Sequence, residues 1–172
     1  MNKIVLVGYM GSGKSEIGKL LSKNTNIPFY DLDNIIENEL GKSINQIFLE
    51  DGEVFFRKKE HEIFVAKMNS QESFILSLGG GTPCYANNHL LLQEENVSSI
   101  YLKASISTLA ERLKLGKASR PLLKDLTEEE LNEYIAKHLF DRSFYYNQCK
   151  LNIIVDDKSP IEIVSEIEKE LF

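Results

Sequence analysis

Residues 8–15 read Gly8-Tyr9-Met10-Gly11-Ser12-Gly13-Lys14-Ser15, and this stretch decides the fold. It has the spacing G-x-x-x-x-G-K-S/T between a strand-like apolar run and a helical pattern. Glycines here let backbone N–H groups surround phosphate oxygens, while the next helix turns its positive end towards the same anion. Lys14 is then placed to reach nucleotide phosphates and Ser15 to ligate Mg²⁺. A glycine-rich turn without a ligand is the alternative, but it needs neither the lysine nor the hydroxyl at these positions.

The rest of the chain alternates short apolar runs with helical segments, a pattern typical of a parallel sheet covered by helices. Several runs are rich in Val and Ile on both faces, as in strands that are buried on both sides. We predict an α/β fold with a five-stranded parallel sheet and strands at residues 3–8, 27–31, 73–78, 98–103 and 151–156. A long insertion spans residues 32–72, and a charged segment at residues 114–127 is too polar for the core.

Three helix starts have the spacing of a capping box, in which a hydroxyl and an acid or amide three residues later cap the first turn. The pairs are Ser43 with Gln46, Thr127 with Glu130, and Ser159 with Glu162. Pro160 follows Ser159 at a first-turn position where a missing N–H has no consequence.

Composition limits the class of protein. The 172 residues suffice for a single domain with a full core, and the formal net charge of −6 disfavours a protein that coats nucleic acid. No run is apolar enough to cross a bilayer or to act as a signal peptide, so we expect a cytoplasmic protein without a membrane partner. Cys84 and Cys149 match no metal or redox spacing, and we expect reduced thiols.

Two carboxylates follow the second predicted strand. Asp31 and Asp33 are two residues apart, so they lie on one side if the backbone stays extended. They also lie at the carboxyl end of a strand, where open α/β sheets bind ligands. One could hold metal-bound water while the other accepts the proton of an attacking hydroxyl. The alternative is that one of them only caps a helix over residues 34–40.

Two further features lie near the predicted site. Arg57 belongs to a predicted helix that begins near residue 51. On the surface of this helix, Glu53 and Glu60 could pair with it. Three consecutive glycines, Gly79, Gly80 and Gly81, follow the third predicted strand. A bare backbone at the end of a strand lets a ligand approach closely and accept N–H hydrogen bonds.

In these blocks the chain resembles the shikimate kinases, a branch of the nucleoside-monophosphate-kinase-like P-loop fold. The resemblance covers nearly the whole chain. It rests on the loop at 8–15, Asp-x-Asp at 31–33, Phe-Arg at 56–57, Gly-Gly-Gly at 79–81, Arg-Pro-Leu-Leu at 120–123 and Arg-x-x-x-Tyr at 142–146. It implies a three-layer kinase fold in which residues 32–72 bind substrate and residues 114–127 form a mobile lid. The implied reaction is ATP-dependent phosphorylation of the 3-hydroxyl of shikimate, a step of chorismate and aromatic amino acid biosynthesis, by a monomer.

On the nucleotide side, the resemblance implies contacts from Gly11, Ser12, Gly13, Lys14, Ser15, Glu16, Arg112, Arg120 and Pro160. Mg²⁺ would be held by Ser15 and, through water, by Asp31. Glu16 departs from the small residue usual in the family and adds a negative charge near the phosphates. Arg112 would stack on adenine, and residues 157–160 would close on its other face.

On the acceptor side, the resemblance implies that Asp33 binds shikimate and orients or deprotonates the attacking hydroxyl. Arg57 and Arg142 would bracket the substrate carboxylate, because arginine offers two-pronged hydrogen bonding to such a group. Gly79, Gly80 and Gly81 would offer backbone contacts. Arg120, in the lid, would move onto the transferring phosphoryl group, so Lys14, Asp33 and Arg120 are the expected catalytic residues.

Two other functions remain open from the residues alone. One is a kinase of another small hydroxy acid, such as gluconate, or of a nucleoside monophosphate. The other is a non-catalytic module that senses a nucleotide or shikimate, which we would expect to have lost Lys14, Asp33 or Arg120.

Overall fold

The sheet is built from five parallel strands, as predicted. The structure is a computed structural model that describes residues 2–116 and 123–172. Its strands are β1 (Lys3–Val7), β2 (Phe29–Asp31), β3 (Phe74–Ser77), β4 (Val97–Lys103) and β5 (Leu151–Ile154). They lie in the order β2-β3-β1-β4-β5, and every pairing is parallel. The strands are shorter than predicted at half of their ends, and β4 begins one residue earlier than predicted; Gly8, for example, already belongs to the loop after β1.

Helices cover the sheet and connect its strands. They are α1 (Lys14–Thr25), α2 (Leu32–Leu40), α3 (Ile44–Glu50), α4 (Gly52–Met68), α5 (Asn88–Leu91), α6 (Ile106–Leu115), α7 (Glu128–Tyr146) and α8 (Pro160–Leu171), with a 3-10 turn at Thr82–Cys84. All three predicted capping boxes are present, at the starts of α3, α7 and α8. The α/β fold is therefore confirmed.

The core lies on both sides of the central strands. Every residue of β1 and β3 is buried, which explains why these strands read as continuous apolar runs rather than as alternating ones. Both cysteines are free thiols, as predicted. Among the described residues no helix has the length and apolar character needed to span a bilayer.

The backbone at the two aspartates differs from the expected one. Asp31 ends β2 and caps α2, where its Oδ1 accepts a hydrogen bond from Asn34 N at 3.3 Å. The helix therefore begins at Leu32, earlier than predicted, and Asp33 lies in its first turn. The backbone does not stay extended between the two carboxylates, because the chain enters a helix immediately after the strand; the alternative that one aspartate caps this helix is confirmed for Asp31.

The charged segment at residues 114–127 is only partly described. Residues 117–122, including Arg120, lie outside the described residues. Leu123 is buried in the core, so the expectation that this segment is too polar for the core is wrong at that residue. A single leucine can be buried although residues near it in sequence are charged.

Candidate active site

A cavity of about 800 Å³ opens at the carboxyl ends of β1, β2 and β3. This is the edge at which open α/β sheets bind ligands. Twelve of the predicted site residues line it: Gly11, Ser12, Gly13, Lys14, Ser15, Glu16, Asp31, Asp33, Gly79, Gly80, Arg112 and Pro160. The residues predicted to contact the nucleotide and the two predicted aspartates, Asp31 and Asp33, thus share one cavity.

The phosphate loop is held in shape by its own lysine. Lys14 Nζ donates hydrogen bonds to the carbonyl oxygens of Gly8 at 2.7 Å and Tyr9 at 3.1 Å. Gly11 and Gly13 have φ values of 85° and 98°, in the left-handed region where a side chain is strained. The loop therefore requires glycine at these positions, and its curvature turns the start of α1 towards the cavity.

Two oxygen ligands suited to Mg²⁺ stand at the start of α1. Ser15 Oγ donates to Asp31 Oδ2 at 3.4 Å, and both residues line the cavity. No group of three or more His, Cys, Asp or Glu side chains that could hold a metal by itself occurs in residues 2–116 and 123–172. Mg²⁺ beside nucleotide phosphates needs only one or two protein oxygens, because water and phosphate complete its shell. The two residues therefore fit such an ion.

Asp33 is the carboxyl group with the most perturbed environment in the cavity. Its pKa is raised from 3.8 to about 6, chiefly by burial and then by the negative charges of Asp31, Glu60 and Glu37, while Lys14 opposes the rise. A carboxyl group with a pKa near neutrality can accept a proton under working conditions more readily than an ordinary one. Asp33 is therefore suited to act as a general base.

Arg57 is held by a glutamate that is buried rather than on the helix surface. Arg57 Nη1 donates to Glu60 Oε1 at 2.8 Å, and Thr82 Oγ1 donates to Glu60 Oε2 at 2.8 Å. Glu60 is 1% exposed, so the expected surface pairing is wrong for this partner. The looser ion pair to Glu53, at 3.9 Å, is present. That ion pair is made by Arg57 Nε, which has no hydrogen-bond partner within the described part of the chain.

The three glycines leave room for the site's charged side chains. An added Cβ would lie 3.2 Å from Asp33 Oδ1 at Gly79, 2.9 Å from Arg142 Nη1 at Gly80 and 2.6 Å from Arg57 Nη2 at Gly81. These separations are shorter than ordinary van der Waals contact. The glycine run therefore brings one acid and two arginines against the same short stretch of backbone. Arg57, Gly81 and Arg142 do not line the cavity itself but adjoin it through this stretch.

Arg142 is half-buried and has aromatic rather than acidic neighbours. Its guanidinium carbon lies 5.6 Å from the centre of the Tyr9 ring, and no carboxylate in the described residues forms an ion pair with it. Tyr146, one turn later on α7, donates from its hydroxyl to Gly80 O at 2.6 Å. A cation without an acidic partner favours an anionic ligand.

Arg112 of α6 and Pro160 at the start of α8 also line the cavity. Arg112 Nη1 donates to Gly11 O at 3.0 Å. Glu16 is exposed on the first turn of α1, where a negative charge favours the helix dipole.

Sequence reasoning missed two charged residues near the site. Lys158 lines the cavity, and its only signal was its place in the loop at residues 157–160. Glu60 has the sequence signature of an ordinary surface partner for Arg57, and only the tertiary structure reveals that it is buried. Arg120 lies outside the described residues, so its position relative to the cavity stays a prediction.

A sequence model of the shikimate kinase family matches residues 10–172. The chain belongs to the shikimate kinase family. One relative, a shikimate kinase from Flavobacterium psychrophilum, is 67% identical over 172 residues and covers 100% of both chains.

Solved structures of the shikimate kinase family agree. The enzyme from Bacteroides thetaiotaomicron has a TM-score of 0.91 and 30% identity, over 99% of this chain and 98% of that one. The shikimate kinase from Acinetobacter baumannii in complex with shikimate has a TM-score of 0.87 and 27% identity, over 99% and 93%. The family expected from the sequence motifs is thus confirmed.

Proposed function

We propose that this chain transfers the γ-phosphoryl group of ATP to the 3-hydroxyl of shikimate, giving shikimate 3-phosphate and ADP. One observation carries the proposal: Asp33, Arg57 and Arg142 meet at the three glycines beside the phosphate loop. An acid, two arginines and bare backbone form a site for a small hydroxylated carboxylate. The product, shikimate 3-phosphate, would enter the biosynthesis of chorismate and aromatic amino acids.

The nucleotide would lie along the phosphate loop. Backbone N–H groups of Gly11 to Ser15 would donate to its phosphates, and Lys14 would exchange its loop carbonyl partners for phosphate oxygens. Arg112 and Pro160 both line the cavity, and the adenine base would lie between them. Glu16, on the exposed first turn of α1 and in the cavity lining, would adjoin the phosphates.

The metal proposed for this site is Mg²⁺, with Ser15 as a direct ligand and Asp31 as a ligand through water. When bound, the ion neutralises charge that develops on the phosphates during transfer. The Ser15–Asp31 hydrogen bond of 3.4 Å supports this assignment, because it keeps both oxygens at the mouth of the loop.

Shikimate would bind with its carboxylate between Arg57 and Arg142. Arg57 Nε makes no hydrogen bond within the described residues, only the loose 3.9 Å ion pair with Glu53, and two arginines can hold a carboxylate in one orientation. Asp33 would then hydrogen bond to the attacking hydroxyl and accept its proton as the oxygen attacks in line. Positioning and charge account for most of such a reaction, because little covalent chemistry is required of the protein.

Release of ADP in the presence of Mg-ATP tests the reaction. Shikimate, gluconate, AMP and CMP are offered separately, and we expect ADP production only with shikimate. Production only with gluconate or a nucleotide would favour a related kinase on the same fold. No production with any of the four would favour a non-catalytic sensing module.

We expect the activity to fall as the pH falls through about 6, the raised pKa of Asp33. Asp33 must be ionised to accept the proton, and below its pKa it is protonated, so kcat/KM for shikimate should drop about tenfold per pH unit. The measurement is a pH profile at saturating Mg-ATP. A profile that stays flat to about pH 5 would contradict the role of Asp33 as base.

Gly81→Ala should weaken shikimate binding while leaving the fold intact. The new Cβ would lie 2.6 Å from Arg57 Nη2, so the guanidinium must move away from the carboxylate site. We expect KM for shikimate to rise about tenfold and the melting temperature to fall somewhat, because the displaced guanidinium is paired with the buried Glu60. KM for ATP is the internal control. An unchanged KM for shikimate would place Arg57 outside the carboxylate site.

Three broader features complete the proposal. Residues 32–72 would serve the acceptor side, and residues 114–127 would close as a lid that brings Arg120 to the phosphoryl group and excludes water. The chain would work as a cytoplasmic monomer without nucleic acid or membrane partners; the net charge of −6 supports the absence of a nucleic-acid partner. Light scattering after gel filtration would test the monomer.

A further inference from the structure

Tyr9 joins the phosphate loop to the helix that carries Arg142. It lies in the loop between Gly8 and Met10 and is 1% exposed. Its hydroxyl shares a hydrogen bond of 2.8 Å with Nδ1 of His138, which lies on α7 and 129 residues away in sequence. The part of the chain expected to hold phosphate is therefore tied to α7 by a partly buried polar contact.

The same tyrosine also contacts both cationic sides of the site. Its ring faces the Arg142 guanidinium at 5.6 Å, within the range of a cation–π interaction. Its carbonyl oxygen accepts a hydrogen bond from Lys14 Nζ at 3.1 Å. Thus the backbone of Tyr9 contacts Lys14, which is proposed to bind the nucleotide phosphates, and its ring contacts Arg142, which is proposed to bind the carboxylate of the acceptor.

His138 and Arg142 are one helical turn apart, so they lie on the same face of α7. Tyr134, one turn earlier, packs edge-on against the His138 ring at 4.4 Å between ring centres. This packing limits the movement of the imidazole and therefore of the Tyr9 hydroxyl bonded to it. Arg142 has no ion pair in the described residues, so the contacts that position its guanidinium are the side-chain hydrogen bond with Tyr146, one turn later on α7, and the Tyr9 ring.

We propose that Tyr9 is a positioning residue: its hydrogen bond to His138 holds the ring under Arg142 and so orients that arginine towards the carboxylate of the acceptor. The inference rests on the proposed role of Arg142 in binding that carboxylate. It predicts that a change in the phosphate loop acts mainly on the acceptor and much less on the nucleotide.

Tyr9→Phe tests the hydrogen bond, because it removes the hydroxyl and keeps the ring. We expect KM for shikimate to rise about fivefold, with KM for ATP and kcat each changed less than about twofold. His138→Leu should have the same effect from the other side of the bond. The double variant should also show a rise of about fivefold, because both substitutions remove one shared interaction.

Three further variants make the experiment specific. Tyr145→Phe removes a tyrosine hydroxyl from the same helix, where the ring packs on His89 and Phe144, and should leave all constants unchanged. His138→Asn keeps a polar atom near the Nδ1 position and should restore KM for shikimate to near the wild-type value. Arg142→Ala measures the carboxylate contact itself, and we expect KM for shikimate to rise about 100-fold.

The outcomes separate this inference from the proposed function. If Arg142→Ala raises KM for shikimate but Tyr9→Phe and His138→Leu do not, the positioning role is wrong and the carboxylate role stands. If Tyr9→Phe raises KM for ATP instead, Tyr9 serves only the phosphate loop. If Arg142→Ala has no effect on shikimate, the carboxylate role fails and the inference with it. Should Tyr9→Phe fail to fold, His138→Leu and His138→Asn decide the question, because His138 is only half-buried.

Discussion

Asp33→Asn is expected to abolish turnover while leaving nucleotide binding nearly intact. The substitution keeps the size of the side chain and removes its ability to accept a proton. The carboxyl group lies close to the backbone of Gly79, since a Cβ added at that glycine would be 3.2 Å from Asp33 Oδ1. This is the part of the cavity proposed to bind the acceptor. We expect kcat to fall about 1,000-fold or more, because both general-base catalysis and orientation of the hydroxyl are lost.

The measurement combines steady-state kinetics with calorimetric binding of ADP. Glu39→Gln is a matched control, since it removes an acid from the exposed face of the same helix and should leave turnover unchanged. Loss of ADP affinity in Asp33→Asn, with the acceptor still bound, would show that Asp33 belongs to the nucleotide side.

The same variant should be more stable than the natural protein at neutral pH. The pKa of Asp33 is about 6 in the fold, against its usual 3.8. Folding therefore favours the protonated form of Asp33. The contribution of this protonated carboxyl group to the free energy of unfolding is lost as pH rises through about 6. Asparagine removes the buried charge, so the melting temperature should rise at pH 7 to 8. Thermal unfolding at two pH values would check this: a variant no more stable than the natural protein at pH 7 to 8 would contradict it.

Much of the site could be predicted because its chemistry is local in sequence. The phosphate loop follows from Gly11, Gly13, Lys14 and Ser15 within five consecutive residues. Their geometry depends on backbone positions that only glycine adopts easily, and the structure shows these at φ values of 85° and 98°. A local pattern with a backbone cause is therefore recognised without knowledge of the fold.

The surroundings of Arg57 could not be predicted in this way. Spacing on a helix identifies Glu60 as a partner, but it does not tell whether the pair lies on the surface. Burial of Glu60 follows from Thr82, which is 22 residues away and donates to its second oxygen. The Tyr9–His138 contact is more distant still, since it joins parts of the chain that only the sheet topology brings together.

Lys14→Met is expected to lower kcat/KM for ATP about 1,000-fold or more. Methionine keeps much of the unbranched stem and removes the ammonium group. That group donates to the carbonyl oxygens of Gly8 and Tyr9 in the structure, so its loss removes a phosphate contact and loosens the loop. The measurement is kinetics with ATP varied at saturating shikimate.

Lys19→Met is the matched control, because it removes a lysine from the exposed face of the same helix. We expect it to retain wild-type kinetics. If Lys14→Met kept turnover within about tenfold of wild type, stabilisation of the transferring phosphoryl group would not depend on this residue. Hydrogen bonding of Lys14 to the loop would then be its whole role.

The residual activity of Lys14→Met carries a second test, which links the two halves of the site. Lys14 lowers the pKa of Asp33 against the effects of burial and neighbouring acids. Without the ammonium group the pKa of Asp33 should rise further, so the acid limb of the pH profile should move to higher pH. A simple loss of phosphate contact would reduce activity equally at all pH values. A shifted limb would show that the lysine that serves the nucleotide also helps to keep the base on the acceptor side ionised.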